Sequence, residues 1–376
     1  MSNQIQNLIL PISEDAVSFC YDERSYSSSE FISIDRLLEI SGYAKKNNLS
    51  LTILGGSTPL PKNFIEVLNG IDYTLFLPST YPELSHADVV VIDGYVEMKL
   101  FSEIAKNGKY SIVLKVSKEA LSYISSFIKK IKGHFYRVSL ILEDLISWSD
   151  EELDLYKKIL GECEENYKDS FNPKDFSELN FITDRLFLQE MNNCQAGIKH
   201  LTVDYSGNFH ICPAFMKSGK HPSVGSINSG VDIKSSQLLE LEYAPVCLNC
   251  DSYQCRRCLY LNKTGTNEIN IPTRQQCVAS HHERKTSKRL ADFLIEKYGD
   301  RINLKEINSI DYLDPFDVMD RVTDEIENRA MQIYKDEKRE SFINSRPDIG
   351  IDLTKLSNDE LLNVRELINN EIKFRN

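Results

Sequence analysis

Residues 247 to 258 read CLNCDSYQCRRC: four thiols in twelve residues, as two C-x-x-C pairs separated by four residues. A C-x-x-C lets two thiolates converge on one metal centre, a use shared by zinc and iron–sulfur sites. Cys194, Cys212 and Cys277 flank the run, so seven of the nine cysteines fall between 194 and 277. Structural zinc takes four ligands. The set Cys194, Cys212, Cys247, Cys250, Cys255, Cys258 and Cys277 is too large for one zinc and one short of two all-cysteine sites. Two zincs would need a histidine as well, with His210, His281 and His282 as candidates. Two iron–sulfur clusters would also use seven thiolates if one cluster had an open or non-cysteine ligand. Spacing alone leaves zinc and iron–sulfur open.

The cysteine-rich segment is the basic part of an acidic protein. From Cys194 to Leu290 there are 12 Lys and Arg against 7 Asp and Glu, whereas the remainder carries 32 against 49, and the net charge is −12. Such a balance argues against nucleic acid as a partner. Local cations could offset thiolates and a bound anionic centre. Arg256 and Arg257 lie inside the second C-x-x-C, placed to offset that charge, to clamp a peptide carboxylate, or merely to be solvated. Lys285, Lys288 and Arg289 read as a solvated helix face. No apolar window is long enough to span a membrane, and the N-terminus lacks a basic stretch followed by a long apolar run. The expectation is a cytoplasmic protein with reduced cysteines.

These residues need a frame. Over residues 1–190, short apolar runs alternate with amphipathic stretches. The runs are IQNLIL (5–10), LTIL (51–54), YTLFL (73–77), VVVID (89–93), YSIVLKV (110–116) and YRVSLIL (136–142), each short enough for a buried strand. Helical patterns cover about 34–48, 97–107, 118–131 and 150–168, the last capped by Ser149. This alternation predicts an α/β domain with a mostly parallel sheet. Residues 191–290 form a cysteine-rich segment opened by a hairpin, HLTVDYSGNFHIC (200–212). Residues 291–376 read as a helical C-terminal extension, where Ser357 and Glu360 stand at capping-box spacing.

The stretches CQAGIKHLTVDYSGNFHICPAF, CDSYQCRRCLYLN and QCVASHHER together resemble the SPASM domain of radical-SAM peptide maturases, which carries two auxiliary [4Fe–4S] clusters. This chain shortens each of the two spacings after the first C-x-x-C by one residue relative to the family. The resemblance implies that Cys247, Cys250, Cys255 and Cys277 hold the distal cluster. Cys194, Cys212 and Cys258 would hold the cluster nearer the active site, with one iron short of a cysteine. His210, two residues before Cys212, is a candidate for that position against the plainer reading of a structural histidine. The nearest upstream cysteine is Cys163, in a helical pattern.

Radical-SAM enzymes bind their catalytic cluster through C-x-x-x-C-x-x-C, and no such motif occurs here. SFCYDERSYSSSEF (18–31) nevertheless resembles the segment of the third motif cysteine. If Cys20 stands there, Ser13 and Val17 occupy the other two positions, so Cys20 is not expected to ligate a cluster. LTILGGSTPLP (51–61) resembles the Gly-Gly-Glu-Pro turn that faces the amino group of S-adenosylmethionine, with Ser57 and Thr58 where the acidic residue belongs. The whole is similar to the CXXX repeat peptide maturase family, SPASM proteins without the N-terminal motif.

The fold so implied is a partial (β/α) barrel of radical-SAM type, followed by the SPASM domain and the helical extension. The implied function is maturation of a ribosomally made, cysteine-repeat peptide, with two [4Fe–4S] clusters and with S-adenosylmethionine in question. A vacant iron could receive a substrate thiolate. The rivals are a non-catalytic scaffold serving a second maturation protein, and a zinc-binding interaction protein. No side chain identifies itself as acid, base or nucleophile.

Overall fold

The computed structural model describes residues 5–22, 30–173 and 176–304. All of these belong to the first of two compact units, Met1–Ile310. The 357–372 capping pattern lies outside the described residues.

Six strands run β1 (Asn7–Pro11), β2 (Ser50–Leu54), β3 (Tyr73–Pro78), β4 (Val89–Asp93), β5 (Tyr110–Val116) and β6 (Phe135–Leu142). Each pairs in parallel with the next. The crossovers carry α1 (Ile34–Lys46), α2 (Lys62–Leu68), α3 (Gly94–Ile104) and α4 (Ile124–Lys130). The stretch expected as one helix over 118–131 instead opens with a 3-10 segment, Lys118–Tyr123, before α4 begins. After α5 (Asp150–Ser170) come β7 (Glu178–Leu179) and α6 (Asn180–Phe187).

The sheet continues past residue 190. β8 (His200–Val203) lies parallel to β1, with Asn7 opposite His200, and β9 (Phe209–His210) returns antiparallel to it. The Ser-Gly-Asn hairpin is therefore present, and Gly207 supplies the left-handed turn at φ +84°. The result is a nine-stranded, mostly parallel sheet in the order β7-β6-β5-β4-β3-β2-β1-β8-β9.

Alternation along the strands divides the apolar residues. Leu8 and Leu10, Val90 and Ile92, and Ile112 and Leu114 join the helices in the main core. Ile9, Val91, Val113 and Ile141 face the other way, into a smaller cluster with Ala16 and Val17 from the loop after β1. Stepping every crossover in one direction puts the helices on one face and leaves the other to these loops.

Cys163 is fully buried within the main core on α5, away from the other cysteines in both packing and environment. α5 starts with the full capping box at Ser149 and Glu152. It packs along α9 (Arg274–Tyr298), which runs unbroken through residue 290. Arg289 of α9 donates to the buried Glu164 of α5 at 2.6 Å, so it fastens the two helices rather than only facing solvent.

Glu283 of α9 is enclosed at the same interface. The Tyr156 hydroxyl donates to it at 2.7 Å and the Gln254 amide at 3.4 Å. Burial lifts its carboxyl to about 7; Tyr156, Gln254 and Arg256 oppose the rise and Asp184 adds to it. The folded state therefore keeps a proton that the unfolded chain releases from about pH 4.5 upward. The associated stability is full below that pH and is lost as pH rises through 7. Unfolding free energy should fall by about 1–3 kcal/mol between pH 5 and 8 from this group. Glu283→Gln should flatten the curve, and chemical denaturation across pH measures both; parallel curves would refute the assignment.

Candidate functional site

The parallel strands all end at one edge of the sheet, so the loops after them gather there. They line a cleft of about 970 Å³. One wall comes from β1 and its loop, including Ser13, Cys20 and Asp22, with Lys115 and Glu143 from the ends of β5 and β6. The other wall comes from α7 (Pro213–Ser218) and α8 (Leu259–Thr266), which follow Cys212 and Cys258 directly.

Both cysteines occupy helix N-cap positions. Backbone N–H groups of Ala214 and Phe215 lie near Cys212, and those of Tyr260 and Leu261 near Cys258, without forming a capping hydrogen bond at either. Such donors favour a thiolate, but burial outweighs them: it raises the Cys212 thiol well above its ordinary range and Cys258 to about 12. Cys194 adds to the rise at both, so Cys194, Cys212 and Cys258 lie within electrostatic reach of one another. Cys194 is fixed by pairing of its segment with the second C-x-x-C: Asn192 N–H bonds to Tyr253 O at 2.7 Å and Cys194 N–H to Arg256 O at 2.9 Å.

The remaining thiols form a second neighbourhood. Cys247 packs with Met191, Ala244, Cys250 and Cys255. Burial drives Cys247 to about 12 and Cys255 to about 11, and Cys250 adds to the rise at both. Cys277 stands in the first turns of α9. One turn on, His281 Nε2 is 3.9 Å from Cys250 Sγ, and Ser280 hydrogen-bonds Cys255. That helix face thus meets the second group. Asp251 between the pairs is anchored by Arg185 of α6 and Arg284 of α9, each at 2.7 Å. Among the described residues, no three His, Cys, Asp or Glu side chains close tightly on a single ion.

Arg257 stands between the groups and is 1% exposed. Its guanidinium donates to Asn193 Oδ1 at 3.3 Å and to Leu239 O, while Nη1 has no partner. Burial lowers its pKa; Cys247, Cys194 and Cys255 pull it back up. Its backbone adopts φ +43° and its N–H points to Cys255 Sγ at 3.4 Å. An enclosed cation with an idle donor, ringed by thiols, fits an anionic thiolate-held centre. It is not a solvated surface arginine.

His210 and His282 are held otherwise. His210 Nε2 pairs with Asp204 Oδ2 across the hairpin at 3.1 Å. Burial, with Lys157 and Lys285 nearby, lowers His282 to about 4. Ser13 and Val17 are each 1% exposed, packed under the loop that carries Cys20. Where the resemblance put a cluster there is instead a polar lattice. Lys115, itself 1% exposed, donates to Ser18 Oγ and Asp22 O at 2.9 Å each and pairs with Glu143 at 3.3 Å. Asp22 also pairs with Lys217 of α7 at 3.0 Å. The Gly55-Gly56 turn is filled too. Asp15 accepts from Ser57 N–H at 2.9 Å, and a Cβ on Gly56 would lie 1.8 Å from Asp15 Oδ1. Sequence reasoning missed Lys115 and Asp15: one is a polar residue inside an apolar strand run, the other a single acid in a loop.

No protein-family model matches the chain, and no curated protein matches its sequence. Among solved structures, native anSMEcpe with bound AdoMet and Cp18Cys peptide is similar over 77% of this chain and 98% of that one, at 13% identity and a TM-score of 0.54. The two share a fold. Streptococcus suis SuiB bound to its precursor peptide SuiA aligns over 73% of this chain and 76% of its own, at 12% identity and a TM-score of 0.38.

The two environments of cysteine make opposite expectations. Cys163→Ala should cost about 1–2 kcal/mol of stability and leave bound metal unchanged. Cys250→Ala should lower bound metal per chain. Elemental analysis of both variants beside the parent protein decides it; equal metal in all three would remove Cys250 from the metal set.

Proposed function

We propose that this chain is a peptide-maturation protein. It binds a cysteine-repeat precursor peptide in the cleft and holds two iron–sulfur clusters behind one wall of it. The observation that carries the reading is the cleft itself, whose far wall is built from the two helices that Cys212 and Cys258 cap. A solved protein of the same fold carries a peptide and AdoMet. In this reading, residues 1–190 supply the first seven strands of the sheet, 191–290 the last two strands and the cluster-bearing module, and 291–376 an extension, and the protein works in the cytoplasm with its thiols reduced.

The seven cysteines divide as Cys194, Cys212 and Cys258 beside the cleft, and Cys247, Cys250, Cys255 and Cys277 farther from it. Bound clusters would supply electron-transfer or Lewis-acid capacity next to the peptide. Arg257 would offset their charge, and the backbone N–H groups at Cys212 and Cys258 would hold the thiolates. The residues do not fit S-adenosylmethionine on a radical-forming cluster. Ser13 and Val17 offer no thiolates, and Asp15 fills the Gly56 turn. No step in the reading passes through that cofactor.

The same filled turn favours a second reading, a scaffold that presents the peptide to a second maturation protein. A synthetic peptide of cysteine repeats separates the possibilities. Its affinity, read by fluorescence anisotropy under anaerobic conditions, should fall about tenfold in Thr264→Trp, which crowds the cleft rim. Val96→Trp, on the exposed face of α3, should bind as the parent does. A mass change in the peptide after incubation with reductant marks an enzyme, and unchanged mass with intact binding marks a scaffold. Equal affinity in the parent and Thr264→Trp would end the cleft assignment.

A further inference from the structure

We propose that Cys20 is the fourth cysteine of the Cys194–Cys212–Cys258 group, so that one thiolate from the sheet domain and three from the cysteine-rich segment hold a single cluster at the inner wall of the cleft. The proposal rests on the cluster reading above and fills the position that the sequence left open.

The loop after β1 doubles back over the sheet edge, with Val17 N–H bonded to Gly55 O at 2.9 Å. Its far end is pinned from two sides. Lys115 holds Ser18 and the Asp22 carbonyl from below. Lys217, on the helix that Cys212 caps, holds the Asp22 carboxylate at 3.0 Å. Cys20 lies between these clamps and faces the cleft together with residues of α7 and α8. It shares the cleft with Ala214, Tyr260 and Leu261, which directly follow Cys212 and Cys258; burial chiefly raises its thiol, with Asp22, Cys212 and Cys258 adding to the rise. Tyr21, partly buried, lines the same cleft. Of the other candidates, Cys163 lies in the helical core, and His210 is tied to Asp204 through Nε2 with only Nδ1 left unpartnered.

Arg257, buried with Nη1 unpartnered, lies in the second C-x-x-C between Cys255 and Cys258 and is a cation that a thiolate-held centre would face.

The chemistry balances without any redox step. The Cys20 thiol donates to Asp22 Oδ1 at 2.9 Å. On ligation the S–H bond breaks, the proton leaves to solvent, an Fe–S bond forms and the iron gives up a water. Asp22 keeps Ser18 and Lys217, so the carboxylate stays neutralised while the thiolate turns to iron. Positions 13 and 17 carry serine and valine, so Cys20 is the one thiol of this loop that a cluster could use.

The test is an alkylation footprint of the full chain, reconstituted anaerobically with iron and sulfide. It is treated with iodoacetamide before and after chelation, and each cysteine is read by mass spectrometry. Cys20 should be protected with Cys194, Cys212 and Cys258, and all four should gain reactivity together, by about tenfold or more, when iron is removed. Cys20 reacting equally in both forms while the other three are protected would overturn the proposal. Protection of none of the seven would instead remove the cluster reading, and this proposal with it. Cys20→Ala gives a second readout in the electron paramagnetic resonance spectrum of the reduced protein. One cluster signal should change or vanish and iron should drop by up to about half, with the other signal intact. Two unaltered signals would reject ligation by Cys20.

Discussion

An enclosed guanidinium that lacks a full set of acceptors is the constraint around which the cysteine-rich half is organised. Arg257 has two acceptors, one idle nitrogen and three thiols for neighbours. Leaving such a cation unbalanced costs several kcal/mol. The thiols have the mirror problem, since burial holds Cys247 and Cys258 near 12 and thus neutral. Protonated thiols cannot neutralise an arginine. An anionic centre held by thiolates removes both difficulties at once, because metal binding strips the protons and brings the negative charge that Arg257 faces.

The sheet determines what that centre can touch. Parallel strands deliver their following loops to one edge, and the pairing of β8 with β1 brings the hairpin before Cys212 to the same edge. The interior face there is not uniformly apolar. Lys115 projects among Val113 and Ile141 and is tolerated because Ser18, Asp22 and Glu143 surround its ammonium. This lattice lines the sheet side of the cleft with charged and hydroxyl groups, and Asp15 lies against Gly56. The end of the loop after β1 is tied by Lys115 and by Lys217 of α7.

Much of the frame was legible in the sequence. Short apolar runs gave β3 to β6 because central parallel strands are buried on both faces, and Ser149 with acidic residues in the next turn marked the start of α5 because capping is local. The split of 118–131 into a 3-10 turn and a short helix escaped, since its apolar spacing suits either. The β1–β8 pair escaped as well, because register between segments so far apart is decided by packing. The two thiol neighbourhoods follow the grouping that the resemblance implied for Cys194, Cys212 and Cys258 and for Cys247, Cys250 and Cys255. The approach of Cys20 to the first of these was not legible: it depends on Lys115, Asp22 and Lys217, three charges from three separate elements that no local pattern connects. Arg257 was visible as a choice between cluster charge, a peptide clamp and solvent, and its burial removes the last.

Iron, zinc and acid-labile sulfide per chain, measured on protein reconstituted and purified without oxygen, test the central claim most directly. The account predicts two clusters, about eight irons with matching sulfide if both are [4Fe–4S], and broad visible charge-transfer absorption. Stoichiometric zinc without sulfide in the same preparation would contradict it.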